Sequence, residues 1–174
     1  HITHIKGDCI LKELKAVSLF SGCGGMDLGL EGDFMIIKKS ASEKLLKDYI
    51  HTNEGGRLIL KKTGIKHIFI NDIEKNAIKV WKNNFDKSNV QISDDSIIEV
   101  VKKLREKTLT IETPDIITGG FPCQDFALSG KLLAFKSDVG HDNKKIKKVG
   151  KRTNRGLLYR SMRDVVALLD PKVF

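Results

Sequence analysis

The apolar positions of this chain fall into two alternating periods. Residues 15–20 form a short continuous apolar run that closes on a glycine cluster, and 67–71 form a second. Shorter runs follow at 90–92 and 115–118. Each has the length and the turn-forming boundary of a buried β-strand. Between them the period lengthens. Ala77, Ile78, Trp81 and Phe85 recur at helical spacing within 74–85, and Ile97, Val100, Val101 and Leu104 do so within 96–107. Ser93 and Asp94 are candidate caps for the second of these helices. A short helix over 26–30 follows the glycines. A last helix over 156–169 sets Leu158, Met162, Val165 and Leu169 on one face; Pro171 stops it, and 172–174 begins a fifth strand.

Strands alternating with helices predict an α/β fold, a doubly wound and mostly parallel sheet. Ligands of such sheets sit beyond the carboxyl ends of the strands. Here those ends carry Phe20 and the 21–25 loop, Asp72 with Ile73, Asp95, and the 119–124 turn. Two segments exceed what a minimal sheet needs. Residues 31–66 form an insertion, expected to hold an amphipathic helix near 43–50 and an extra ribbon near 58–61. Residues 130–154 form a long polar loop.

Composition refines this picture in one place. The chain has 174 residues, one domain by length, with 40% hydrophobic and 30% charged residues. Its net charge is +9, but 144–155 alone holds seven Lys or Arg and no acid; without them the chain would carry only +2. Such a segment suits contact with phosphates, and it also suits a solvated insertion. Three cysteines without a CxxC pair argue against a disulfide framework or a zinc site. No apolar run is long enough to span a bilayer, and the N-terminus has no signal-peptide pattern. The expected setting is cytoplasmic and reducing, away from membranes.

Three constellations carry candidate chemistry. Phe20, Ser21, Gly22, Cys23, Gly24 and Gly25 lie where glycines let backbone approach a ligand, or simply make a tight turn. Gly22 and Gly24 give the start of a dinucleotide fingerprint, but Asp27 stands where its third glycine belongs. Asp72, at the end of the second strand, can bind ribose hydroxyls or act as a helix N-terminal acid. Pro122, Cys123 and Gln124 follow a strand and two glycines. A Cys at such a turn sits near amide donors that favour thiolate, although a small buried thiol fits the same position.

Taken in order, these segments resemble the DNA (cytosine-5) methyltransferase family of bacterial restriction-modification systems. Phe20 to Gly25 with Gly29 and Leu30 resembles the motif that holds the methionine part of S-adenosyl-L-methionine. Asn71, Asp72, Ile73 and Glu74 resemble the next, which implies that Asp72 takes the ribose hydroxyls and Ile73 packs on the adenine. Asp95, followed by Ser96, resembles the acid that meets the adenine amino group. Residues 119–124 resemble the catalytic motif, which implies Cys123 as nucleophile, Pro122 and Gln124 as residues that position the substrate, and Pro122 also as a cofactor contact. Arg155, Gly156, Leu157 and Leu158 resemble a fifth motif, with Leu158 against the cofactor and Arg155 toward DNA. The resemblance implies a Rossmann-like S-adenosyl-L-methionine-dependent methyltransferase fold. It also implies duplex DNA with a flipped cytosine as substrate, and 130–154 as a basic catalytic loop. No metal is implied.

Ala127 departs from the Ser usual in the family, whereas Ser129 and Gly130 match. The family's Glu-Asn-Val acid, arginine motif and target-recognition domain have no counterpart before Phe174. A partial catalytic domain over 1–174 is therefore expected, completed by a missing C-terminal half or a second polypeptide and inactive alone. A tRNA cytosine methyltransferase, or a non-catalytic cofactor- or DNA-binding subunit, are the alternative readings.

Overall fold

The structure, a computed structural model, describes residues 13–121 and 158–174. In chain order its elements are β1 (Leu14–Leu19), α1 (Gly25–Glu31), β2 (Met35–Ile37), a 3-10 turn (Lys38–Ser40), α2 (Glu43–Leu46), β3 (Ile50–Glu54) and β4 (Arg57–Leu60). There follow β5 (Ile65–Asn71), α3 (Lys75–Asn84), β6 (Gln91–Ser93), α4 (Ile97–Arg105), β7 (Ile116–Gly119) and α5 (Leu158–Leu169).

Ala16, Val17, Ser18 and Leu19 of β1 are at most 2% exposed. A strand covered on both faces shows no alternation, which is why it reads as an unbroken apolar run. β1 pairs in parallel with β5 on one side and β7 on the other, and β6 extends the sheet beyond β5. The order is β6-β5-β1-β7, so the chain changes direction across the sheet at β1. That reversal opens a crevice at the carboxyl edge. The expected doubly wound, mostly parallel sheet is the one observed. Val173 adds a parallel bridge to Ile116, and Ile117 N–H donates to its carbonyl at 3.0 Å, where the fifth strand was expected.

Consecutive strand residues point to opposite faces, and the two faces carry separate cores. Val17, Leu19, Phe69 and Ile117 pack with Val100 and Val101 of α4 and Met162 and Val165 of α5. Ile70, next to Phe69, instead meets Ile78 and Trp81 of α3. The helical periods read in the sequence thus match the buried faces of α3, α4 and α5.

Two local expectations change. The N-cap of α4 is Ser96, whose hydroxyl accepts from Glu99 N–H at 3.2 Å, and not Ser93 or Asp94. Ser93 is the last residue of β6, and its hydroxyl serves Asp95 instead. The helix expected near 43–50 contracts to the single turn of α2, because Ile50 opens β3 and pairs with Leu60. The β-branched Ile50 and Thr52 suit a pleated ladder better than a helix. β4 matches the expected ribbon and is the centre of an antiparallel sheet, β2-β4-β3, with Leu58 fully buried beneath it.

Ile117→Val should lower stability by about 1 kcal/mol, the usual cost of removing one buried methylene, whereas Ile37→Val on the exposed small sheet should change it by less than about 0.5 kcal/mol. Urea denaturation followed by circular dichroism reads both.

Candidate functional site

The chain leaves β1 under backbone strain. Phe20 adopts φ 56°, a conformation that costs a non-glycine residue roughly 1–2 kcal/mol. Such outliers persist where the surroundings over-determine them. Ser21 N–H donates to the Asn71 carbonyl (3.1 Å), and Gly24 N–H to the Ser21 carbonyl (3.0 Å). Gly22 N–H donates to Asp72 Oδ2 at 2.8 Å. Gly24 has φ 90°, and a Cβ there would lie 2.4 Å from the Phe85 ring. Only glycine fits that position. The 21–25 loop is therefore a shaped segment with specified partners. Within it Cys23 is an exposed free thiol, and Gly25 opens α1.

Beside this loop lies a cleft of about 150 Å³. Phe20 lines it from the end of β1, and Asn71, Asp72 and Ile73 from the end of β5. Ser96 and Ile97 contribute from the start of α4, Gly120 from beyond β7, and Leu158 from the start of α5. The Asp72 carboxylate spans two elements, since its Oδ1 accepts from Glu74 N–H at 2.8 Å while Oδ2 holds the loop. Each oxygen keeps lone-pair capacity for a further donor. Ile73 is 39% exposed, an apolar side chain open to the cleft. Ser21 Oγ and Thr118 Oγ1, at the carboxyl ends of β1 and β7, are buried without a hydrogen-bond partner among the described residues.

Asp95 sits at the end of β6 but is not among the residues lining this cleft. Its carbonyl accepts from Asn71 Nδ2 (2.8 Å), and its Oδ2 accepts from Ser93 Oγ (3.0 Å) and Lys103 Nζ (2.6 Å). The Lys103 ammonium, and secondarily the Ser93 hydroxyl, hold the Asp95 carboxyl below the usual aspartate range. The carboxylate raises Lys103 in turn. The structure therefore gathers Phe20, Asp72, Ile73, Ser96 and Leu158 of the expected cofactor residues around one cleft. It ties the glycine loop to that cleft through Asp72, and turns Asp95 toward α4.

Behind the loop lies a buried polar group that the sequence did not single out. Asp27, noted only for not being glycine, is fully buried. It accepts from Ser18 Oγ at 2.6 Å and from Trp81 Nε1 at 2.7 Å. His67, also buried, lies between Asp27 (3.5 Å) and Glu31 (2.7 Å). The available signal was an acid and a second acid one turn later on a helix directly after a glycine loop. Pro122, Cys123, Gln124, Ser129 and Arg155, and the 130–154 loop, lie outside the described residues.

Comparison with known proteins adds a family. The model of the C-5 cytosine-specific DNA methylase family matches residues 46–174. Type II methyltransferase M.BsuRI of Bacillus subtilis is 36% identical over 131 residues, covering 74% of this chain and 27% of the relative. M.Eco47II of Escherichia coli is 30% identical over 124 residues, 71% of this chain and 21% of its own length. M.NgoFVII of Neisseria gonorrhoeae is 28% identical over 160 residues, 92% of this chain and 29% of its own. The chain thus spans between a fifth and a third of the length of these relatives. No helix among the described residues is long and apolar enough to cross a membrane.

Two outcomes follow from this geometry. Gly24→Ala should destabilise the protein by more than about 1 kcal/mol, since it adds a left-handed backbone penalty to an overlap with Phe85 and Trp81; thermal melting checks this. Lys103→Met should be less stable than the parent at neutral pH. Asp95 has a lowered folded pKa, so its contribution is complete above the ordinary aspartate value and is lost as pH falls through the lower folded one. Melts over an acid pH series should therefore converge for the two proteins, and a gap that persists in strong acid would contradict the pairing.

Proposed function

The chain belongs to the C-5 cytosine-specific DNA methylase family, and on that premise we propose that its cleft holds S-adenosyl-L-methionine and that Cys123 is the nucleophile that prepares a flipped cytosine in duplex DNA for methylation at C5. The observation that carries the cofactor reading is the meeting of Phe20, Asp72, Ile73, Ser96 and Leu158 on one cleft at the strand ends. The residues present suit the group. Asp72 offers carboxylate lone pairs to a vicinal diol, and Ile73, Phe20 and Leu158 offer apolar surface to a purine. Ser21 Oγ, in the loop itself, is a buried hydroxyl without a hydrogen-bond partner among the described residues. When bound, this cofactor supplies an electrophilic methyl on a sulfonium.

The chain's residues then divide the work. Asp72 holds the loop through Gly22 N–H and orients the nucleoside end. Cytosine C5 is a poor nucleophile until C6 is attacked. A Cys123 thiolate adding to C6, with a proton taken up at N3, would give an adduct with enamine character, and C5 would then take the methyl from the sulfonium, which would leave as a neutral thioether. Loss of the C5 proton and expulsion of Cys123 restore the aromatic base. Extrusion of the base from the duplex costs a few kcal/mol, which binding to the phosphates must offset. The seven cations of 144–155, Arg155 among them, are the candidates for that binding, and Gln124 and Ser129 are candidates to position the base or its backbone. The biological role we propose is the modification half of a restriction-modification system.

In an enzyme that includes this chain, and with S-adenosyl-L-methionine added, duplex DNA carrying 5-fluorocytosine should be retained as a denaturation-resistant adduct, because C5 once methylated has no proton to lose and fluorine cannot leave as a cation. Cys123→Ala should abolish the adduct; an adduct surviving the substitution would remove Cys123 from the mechanism. Neutralising Lys144, Lys145, Lys147 and Lys148 should weaken DNA binding. The slope of log affinity against log salt should fall by up to about 0.9 for each DNA phosphate that a lysine had neutralised. Unchanged affinity and slope would assign the segment to solvent.

A further inference from the structure

On its cleft side the glycine loop is held by the Asn71 carbonyl and the Asp72 carboxylate; two further restraints lie away from the cleft. The first of these lies at the loop's base. Ser18, the residue before Leu19 on β1, donates its hydroxyl to Asp27 on α1 at 2.6 Å. This bond closes the segment from Phe20 to Met26 into a loop with fixed ends. The other lies beneath it. Gly24 rests on Trp81 and Phe85, with room for neither ring to rise, since a Cβ at Gly24 would come within 2.7 Å of Trp81 Cδ1 and 2.4 Å of Phe85 Cε2. The two rings stack at 4.6 Å and 11°. Their orientation is fixed by the Trp81 Nε1–H bond to Asp27 Oδ2, 2.7 Å long and fully buried. A buried hydrogen bond of this length is directional, and leaving either partner unpaired would be costly.

One carboxylate therefore sets both the span of the loop and the height of the surface under it. Burying an aspartate is costly unless its oxygens are satisfied, and here hydrogen bonds from two elements on either side of the loop satisfy it. A filler of the hydrophobic core would need neither the Ser18 bond nor the indole N–H. We propose that Asp27 and Trp81 are positioning residues: together they hold the 21–25 backbone at the level where it meets the cofactor, without touching the cofactor themselves. The functional consequence rests on the reading of the cleft as a cofactor site; the positioning of the loop does not. Trp81 is the chain's only tryptophan, so its fluorescence reports on this surface alone.

The test compares the full chain with its Trp81→Phe and Asp27→Asn variants, each first checked for a cooperative thermal melt. Amide hydrogen exchange is then measured over 21–25 and over β5 in the absence of ligand, and S-adenosyl-L-homocysteine is titrated by calorimetry in all three proteins and by Trp81 emission in the parent and Asp27→Asn. In the variants the loop amides should exchange at least tenfold faster while β5 amides keep their relative protection, and affinity should fall at least tenfold. In the parent, S-adenosyl-L-homocysteine should shift the Trp81 emission. Faster loop exchange in the variants, with a parent that itself binds no S-adenosyl-L-homocysteine, would uphold the positioning and overturn the cofactor reading. Folded variants whose loop exchanges as in the parent overturn the proposal, whether or not the ligand binds. Should both variants fail to fold, Ser18→Ala cuts the tie at the loop's base with Trp81 intact, and the same exchange measurement decides.

Discussion

The carboxylate of Asp72 joins parts of the molecule that are distant in sequence. One oxygen accepts from Gly22, the other from Glu74, so the end of β1, the end of β5 and the start of α3 are held together by a single side chain. A parallel sheet leaves every strand end unpaired at one edge, and the backbone groups there need partners. In this chain Asp72 and Asn71 supply them. Asn71, nearly fully buried, donates to the carbonyls of Ser93 and Asp95 and so ties β5 to the chain leaving β6. The cleft is the space that these two neighbours leave between the strand ends they connect.

Rigidity at this edge includes one conformation that costs free energy locally. Phe20 has positive φ, which is strained for a non-glycine residue, while Gly22 and Gly24 occupy the same region freely. Strain of this kind is retained where packing and hydrogen bonds outweigh it. Here they come from both faces of the sheet: Phe20 packs against the cluster containing α4 and α5, while Gly24 lies on the aromatic pair of α3. The loop thus takes its shape from both cores, and a perturbation of either reaches the site. Electrostatics at the edge follow the same economy. Asp72 is engaged by backbone amides, Asp27 by a hydroxyl and an indole, and Asp95 by Lys103.

Much of the fold was legible because its signals are local. The buried run of β1, the helical spacing of Ile97, Val100 and Val101, and the face of α5 from Leu158 to Leu169 each follow from periodicity. The cap of α4 was misplaced by two or three residues because Ser93, Asp94 and Ser96 are all competent caps, and only pairing between β5 and β6 takes Ser93 away. The short α2 escaped for a similar reason: the strand pairing of Ile50 with Leu60 is non-local. Strand ends and motif order singled out Phe20, Asp72, Ile73, Ser96 and Leu158, and the structure gathers these residues on one cleft. Asp27 was not singled out, because its partners Ser18 and Trp81 become neighbours only after β1, α1 and α3 pack. The Lys103 partner of Asp95 was hidden likewise, eight residues away on a face that depends on where α4 begins.

The central claim is that the cleft bounded by Phe20, Asp72, Ile73, Ser96 and Leu158 is the cofactor site of a cytosine-C5 methyltransferase. A crystal structure of the chain with S-adenosyl-L-homocysteine tests it most directly. The ribose hydroxyls should lie within hydrogen-bond distance of the Asp72 carboxylate and the purine against Ile73, with the amino-acid end toward the 21–25 loop. Ligand bound elsewhere, or in this cleft with the ribose turned away from Asp72, would contradict the claim.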